Sequence, residues 1–316
     1  MSHSKKKLAA ENKSQAEIMR NWRDYSLPLA SICCLTYNHK QYIRESIDSL
    51  LMQETNFPFE ILIHDDASVD GTTDIVLDYA ERYPDIIKPI IQIENQYAKG
   101  GLINPRFVFP KAKGKYIALC EGDDYWTDKE KLQKQVSFLE DNSEYVITYT
   151  DCQPFDEHGD LKVNFGGSTR DLEPDELIKS TPIYTLTTCF RNVIREIPLD
   201  LLSARYGDLV IWSLLGAYGR GKYLSDIRPA AYRVHNGGVH STKTCKQQSE
   251  MLLITYNALF AYYLRIKDVN NANYFHEASF KLSHSVIGWK RHVTLVVRAL
   301  TLRPLRQFLS MLKLSG

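Results

Sequence analysis

Tyr116-Ile117-Ala118-Leu119-Cys120-Glu121-Gly122-Asp123-Asp124-Tyr125-Trp126 joins an apolar run to an acidic one. An apolar run entered through Gly114 and Lys115 and left through carboxylates reads as a buried central strand. Glu121, Asp123 and Asp124 place three carboxylates within four residues. Such groups repel one another and cost stability unless a cation faces them. Open α/β sheets take their ligands at the carboxyl ends of their strands, so these acids stand where a metal and a charged ligand are held. Thr127-Asp128-Lys129-Glu130 predicts a capping box for the helix that carries Leu132, Val136 and Leu139. The box accounts for Thr127 and Glu130 and leaves the three earlier acids without a structural task.

The same rhythm runs upstream. Residues 29–35 predict a first strand, and Thr36-Tyr37-Asn38-His39 a turn. Ile43, Ile47, Leu50 and Leu51 follow at helical spacing. Phe59 to His64 predicts a second strand that ends in Asp65-Asp66, and the next helix stops near Tyr83, before Pro84. Ile90 to Ile93 predicts a third strand. This alternation implies an α/β fold, a mostly parallel central sheet flanked by helices. Downstream, strands are expected at 145–149 and 185–190, an extended excursion at 152–168, a helix opened by Asp208, and extended chain over 222–235. From Lys243 the chain reads as mostly helical. Ile18, Met19 and Trp22 form a docking stripe in an otherwise polar N-terminal stretch.

A chain of 316 residues accommodates one large α/β domain with an appendage. A formal net charge of +1 gives no reason to expect a nucleic-acid partner. None of the six cysteines forms a C-x-x-C pair, and Cys33, Cys34 and Cys120 lie in apolar runs as small hydrophobes. That usage suits a reducing compartment. No apolar signal core follows Lys5-Lys6-Lys7, and no run approaches the ~18 apolar residues of a membrane span. The expected location is the cytoplasm.

Neither a Walker lysine motif nor G-x-G-x-x-G is present, so ATPases and dinucleotide enzymes have no fingerprint here. Two acidic clusters at neighbouring strand ends suit a nucleotide sugar. One carboxylate accepts an N–H from a pyrimidine base, and another holds the Mn²⁺ or Mg²⁺ that neutralises a diphosphate. Four stretches, in order, carry a family likeness: Ser31 to Asn38, Glu60 to Thr72, Gly114 to Asp124, and Gly207-Asp208 with Tyr232-Arg233-Val234-His235. Together they resemble the family 2 glycosyltransferases of the GT-A fold, over about residues 28–240. The resemblance implies that Leu35, Thr36, Tyr37 and Asn38 line the base and ribose and that Asp66 binds the base. It implies Asp123 near the ribose and diphosphate, Asp124 as the main metal ligand, and His235 near the diphosphate or metal. Asp208 matches the catalytic base; read from the residues alone, it is equally a helix cap. Leu35 stands where many members have Pro, and Glu121 where Asp is more usual.

The expected activity is inverting transfer from a nucleoside diphosphate sugar, UDP-linked, to a hydroxyl of a glycan or lipid-linked acceptor in cell-surface polysaccharide synthesis. The rival class is a non-catalytic sugar-nucleotide-binding or scaffold protein with the same fold; intact acids argue against it. A sugar nucleotidyltransferase needs a Gly-rich loop that Thr36 to Gln41 lacks. The expected division is an extension over 1–27, a donor half over 28–126, an acceptor half over 127–242, and a helical region over 243–316 with a basic amphipathic end.

That end carries no acid after Glu277, whereas Lys281, Lys290, Arg291, Arg298, Arg303, Arg306 and Lys313 are basic. Among them lie Val286, Trp289, Val293, Val296, Val297, Leu300, Leu305, Phe308 and Leu312, the composition of an interfacial helix. Each basic residue near an anionic leaflet contributes ~1 kcal/mol, so peripheral attachment to the cytoplasmic face of a membrane is expected. Removing residues 285–316 is predicted to release the protein from anionic liposomes at low salt while nucleotide binding survives. Co-sedimentation checks it: unchanged binding by the truncated chain, or none by the full chain, removes the membrane role.

Overall fold

In the computed structural model, residues 13–23, 26–100, 102–163, 165–179, 181–238, 243–286 and 297 are described. The first strand is β1 (Ala30–Thr36). It lies between β2 (Phe59–Asp65) and the strand of the opening motif, parallel to both, with Ala30 opposite Phe59 and Tyr116. β3 (Ile87–Ile91) closes that side as an edge strand. It begins earlier than the apolar run suggests and contains Pro89, which an edge tolerates because one side of its ladder is unused. Ile93, expected in the strand, is 98% exposed.

β4 (Tyr116–Leu119) is fully buried. Beyond it come β5 (Tyr145–Tyr149), β6 (Cys152–Asp156), β7 (Gly159–Asp160), β8 (Cys189–Arg191), β9 (Arg220–Tyr223) and β10 (Ala230–Arg233). The seven-stranded sheet has the order β3-β2-β1-β4-β8-β5-β9, and β8 runs antiparallel to both neighbours. A smaller sheet, β10-β6-β7, is built from the excursion and the extended stretch, and a bridge from Tyr125 to Ala231 joins it to the acidic motif.

Alternate strand residues feed two cores, as a period of two requires. Ile32, Ile61, Ile63, Tyr116 and Ala118 pack with α2 (Ile43–Leu51), α3 (Thr72–Arg82) and α4 (Lys131–Asp141). The docking stripe joins this core: α1 (Gln15–Met19) buries Ile18, and Trp22 meets the edge of Phe59 at 5.3 Å. On the other face Cys33, Leu62, Ile117 and Leu119 share a cluster with Val210, Ile211, Leu259 and Phe275. A short α5 (Pro174–Ile178) precedes α6 (Gly207–Leu215), α7 (Cys245–Arg265) and α8 (Val269–Val286). The basic C-terminal stretch lies outside the described residues except for Val297 and the backbone of 285–286. Among the described residues no helix is long and apolar enough to cross a membrane.

Two local expectations fail for tertiary reasons. The capping box does not form: the Thr127 hydroxyl donates to the Pro229 carbonyl, while the Asp128 carboxylate accepts the Glu130 and Arg228 amides. Of the expected 185–190 strand only Cys189 and Phe190 fall in β8; Thr185–Thr187 is a 3₁₀ turn. Side chains claim its carbonyls: Trp126 Nε1 donates to Leu186, and Lys131 Nζ and Gln135 Nε2 both donate to Thr187.

Lys131 is wholly buried, with its ammonium 5.0 Å above the Trp126 ring. Burial pushes its pKa down to about 7. The folded value lies below the unfolded one, so above pH 7 the unfolded chain binds the extra proton and stability rises with pH. Between pH 7 and 9 the wild type is predicted to gain about 1 kcal/mol per pH unit relative to Lys131→Met. Urea denaturation at pH 7, 8 and 9 checks this; parallel curves for the two proteins exclude it.

Candidate active site

The carboxyl ends of β1, β2 and β4 deliver Leu35 to Asn38, Asp65-Asp66 and Glu121 to Asp124 to one edge of the sheet. Gly122 lets the acidic loop lie on β1. Its amide donates to the Leu35 carbonyl at 2.8 Å, and a Cβ there would stand 2.7 Å from Thr36 Oγ1. Asn38 adopts φ 54°, a left-handed conformation that Asn tolerates better than most residues. It stitches two loops: its amide donates to Ser68 Oγ and its Oδ1 accepts the Val69 amide. Tyr37 is 44% exposed.

The two aspartates after β2 differ in task. Asp65 accepts from the Ser68 amide and hydroxyl and the Thr73 hydroxyl, so it shapes the turn. Asp66, the residue expected at the base, accepts the Gln96 and Tyr97 amides at 2.8 and 2.9 Å. It therefore holds the segment after β3 at the mouth of the site.

The acids after β4 are crowded. Withdrawal from water and then the neighbouring Asp123 push the Glu121 carboxyl up to about 8, with Asp208 adding to the rise. Burial, then Asp123 and Glu121, hold Asp124 well above the usual carboxylate range. Burial also works against Asp123, but its hydrogen bond to His235 and the imidazoles of His39 and His235 outweigh that and keep it low. Asp208 is half-buried at the second position of α6; Tyr206, not Asp208, occupies the capping position.

Arg233 closes the cluster from the small sheet. Its amide donates to Asp124 Oδ1 at 2.7 Å and its Nε to the Asp123 carbonyl at 2.8 Å. Its guanidinium pairs with Glu45 and lies 4.7 and 4.6 Å from the ring centres of Tyr42 and Phe155. Two residues on, His235 Nε2 stands 3.0 Å from Asp123 Oδ2, and His39 Nε2 stands 3.7 Å from the same oxygen. Ligand atoms of these three residues lie within 4.8 Å of one another. The His39 Nδ1 is buried without a hydrogen-bond partner among the described residues. One carboxylate and two imidazoles fit a divalent ion. Thus His235 meets Asp123 and His39, while one oxygen of Asp124 is committed to the Arg233 amide.

A cavity of about 320 Å³ is lined in part by Asp151, Cys152, Gln153, Lys162, Thr169 and Tyr184, and the charges of Asp124 and Glu121 act on Cys152 in its wall. Gly167 presses on its wall: a Cβ there would stand 2.1 Å from the Tyr184 ring. The sequence reading gave no role to His39, Glu45 or the side chain of Arg233. His39 had one available signal, an imidazole directly after the turn that ends β1.

Residues 31–194 match the model of the family described as Glycosyl transferase family 2. The chain belongs to this family. An uncharacterized protein of Mycobacterium tuberculosis is 35% identical over 225 residues, 69% of this chain and 62% of that one. The chain thus spans 62% of the length of that relative. The putative teichuronic acid biosynthesis glycosyltransferase TuaG of Bacillus subtilis is 30% identical over 226 residues, 71% of this chain and 85% of that one. Residues 1–349 of S. aureus TarS, in complex with UDP-GlcNAc, share the fold at 19% identity and a TM-score of 0.56, covering 86% of this chain and 79% of that one. The GT-A fold expected from the motifs is present.

Arg233→Lys keeps the charge but has no planar fork to serve Asp123 and Glu45 together. We predict a loss of about 1–3 kcal/mol in unfolding free energy, the usual cost of charge-assisted hydrogen bonds, and weaker nucleotide binding. Denaturation and UDP calorimetry check it; wild-type values in both dismiss the hub.

Proposed function

We propose that this glycosyltransferase is inverting and ion-dependent, and takes a UDP-linked sugar to a hydroxyl of a glycan or lipid-linked acceptor in cell-surface polysaccharide synthesis. The observation that carries the reading is the convergence of three strand ends on Glu121, Asp123 and Asp124, with Asp208 close enough to raise the Glu121 carboxyl. The teichuronic acid assignment of TuaG supports the polymer class, and the UDP-GlcNAc held by TarS supports the donor class.

In this reading Leu35, Thr36, Tyr37 and Asn38 line the base and ribose. Asp66 serves the base, either directly or through the Gln96–Tyr97 amides it holds. Asp123, Asp124 and His235 face the diphosphate end, where a bound divalent ion supplies positive charge to the leaving group. Asp208 takes the proton of the acceptor hydroxyl as that oxygen attacks the anomeric carbon, opposite the departing diphosphate. The cavity beside Tyr184 is the acceptor's place: its wall residue Cys152 feels the charges of Asp124 and Glu121, and it mixes an aromatic wall with Asp151, Gln153 and Lys162. Residues 28–126 then form the donor half and 127–242 the acceptor half, with the C-terminal stretch bringing the enzyme to the cytoplasmic membrane face.

Screening nucleotide sugars for ion-dependent hydrolysis identifies the donor. With that donor, Asp208→Asn is expected to lower turnover about 10²–10⁴-fold, the range for loss of a general base, with little change in donor affinity. Asp124→Asn should abolish transfer, and Asp66→Ala should weaken donor binding more than turnover. Equal losses of donor affinity in the Asp208 and Asp66 variants overturn the assignment; full activity of Asp124→Asn in a chelator overturns ion dependence.

A further inference from the structure

We propose that His39, Asp123 and His235 form a preformed site for a transition-metal dication, which fills without nucleotide and discriminates against Mg²⁺. This rests on the ion-dependent reading of the same site and deepens it by assigning a third protein ligand and an ion class.

The donors come from three separate segments: the turn after β1, the exit of β4 and the chain beyond β10. Asp123 Oδ2 is the common centre, 3.0 Å from His235 Nε2 and 3.7 Å from His39 Nε2. Metal–ligand bonds of about 2.0–2.2 Å place neighbouring donors roughly 3–3.6 Å apart, so small side-chain shifts admit an ion. The three side chains are only 13–17% exposed. Their positions are fixed by features other than an ion. The left-handed Asn38, tied to Ser68 and Val69, turns the chain so that His39 comes over Asp123. The two imidazoles meet edge to face at 6.0 Å, and Tyr42 packs on His235 at 4.8 Å. Arg233 fixes Asp123 through its carbonyl.

A site built this way needs no diphosphate to assemble. Its chemistry also selects the ion. Imidazole nitrogen suits the later first-row ions Co²⁺, Ni²⁺ and Zn²⁺, whereas Mg²⁺ requires hard oxygen ligands in near-ideal octahedral geometry. His235 Nδ1 accepts the Gly237 amide at 3.2 Å. An ion on Nε2 places the proton on Nδ1 and frees that amide, so the ion is linked to the loop after β10. The competing arrangement is a pair of imidazoles that only neutralise Asp123, and it does not discriminate among dications.

The test uses the full chain, stripped with chelator and titrated with CoCl₂ in the absence of nucleotide, with visible d–d absorption and calorimetry as readouts. Expected are one equivalent of Co²⁺ bound, bands from nitrogen ligation, and no displacement by roughly a hundredfold excess of Mg²⁺. His39→Ala and His39→Gln should each weaken Co²⁺ binding at least about tenfold, as loss of a ligand does, with unchanged far-UV circular dichroism. Absence of Co²⁺ binding without UDP, displacement by equimolar Mg²⁺, or wild-type affinity in folded His39→Gln overturns the proposal. Asp124→Asn separates the two levels. If Co²⁺ binds only with UDP and depends on Asp124 but not His39, the ion-dependent transferase stands and this site falls. If no dication changes UDP binding or donor hydrolysis in the wild type, the ion-dependent reading itself falls.

Discussion

Glu121, Asp123, Asp124 and Asp208 crowd together at one end of the sheet, and much of the surrounding structure serves to make that tolerable. They come from two segments of the chain, and their charges act on one another. Uncompensated, such crowding in a desolvated place costs several kcal/mol. The compensation comes from Arg233, which gives its amide to Asp124 and its Nε to the Asp123 carbonyl, and from the two imidazoles at the Asp123 carboxylate. Arg233 is in turn held by Glu45 and by the rings of Tyr42 and Phe155. The small sheet therefore has an electrostatic task. It carries the positive group across to acids that belong to the large sheet.

The same constraint explains which parts of the molecule were readable from residue order. Parallel strands buried on both faces leave near-continuous apolar runs, and a ligand-binding edge leaves acids at their ends. β2 and β4 carry both marks; β1 carries the apolar run but leaves through Thr36-Tyr37-Asn38-His39, without an acid. Their prediction needed nothing but local order; α2 followed from periodicity, α3 from its stop before Pro84 and α6 from the apolar stretch that Asp208 opens. Only the end of the strand expected at 185–190 forms; Thr185–Thr187 is a turn, where Trp126, Lys131 and Gln135, all more than fifty positions away, take the carbonyls of Leu186 and Thr187. β3 starts at Ile87, ahead of the run expected at 90–93, and holds Pro89 because it is an edge. No local pattern records either fact.

The candidate site divides along the same line. The acid clusters after β2 and β4 stand out in the sequence because each is contiguous. Which carboxylate faces which partner was not legible. His39 and His235 are distant in sequence, and they meet at Asp123 only because the turn after β1 and the chain after β10 converge there. Arg233 stood within a quoted motif, yet its partners Glu45, Tyr42 and Phe155 are visible only in three dimensions.

Burial first, and then the crowding, raises the Glu121 carboxyl. Where a carboxyl is raised to about 8, it is largely protonated at neutral pH and contributes a neutral hydrogen-bonding group rather than a charge. Asp124, raised as well and bonded to the Arg233 amide, is drawn the same way. Asp123 alone of the three is held below the usual range, and it is the one that faces the imidazoles. The negative charge of the motif is thus concentrated at a single oxygen pair. A side chain one methylene longer at position 121 is compatible with this division, because its carboxyl is not the charged member of the set. Asp123 is therefore the charged member of the set, and it is the carboxylate that the His39 and His235 nitrogens approach.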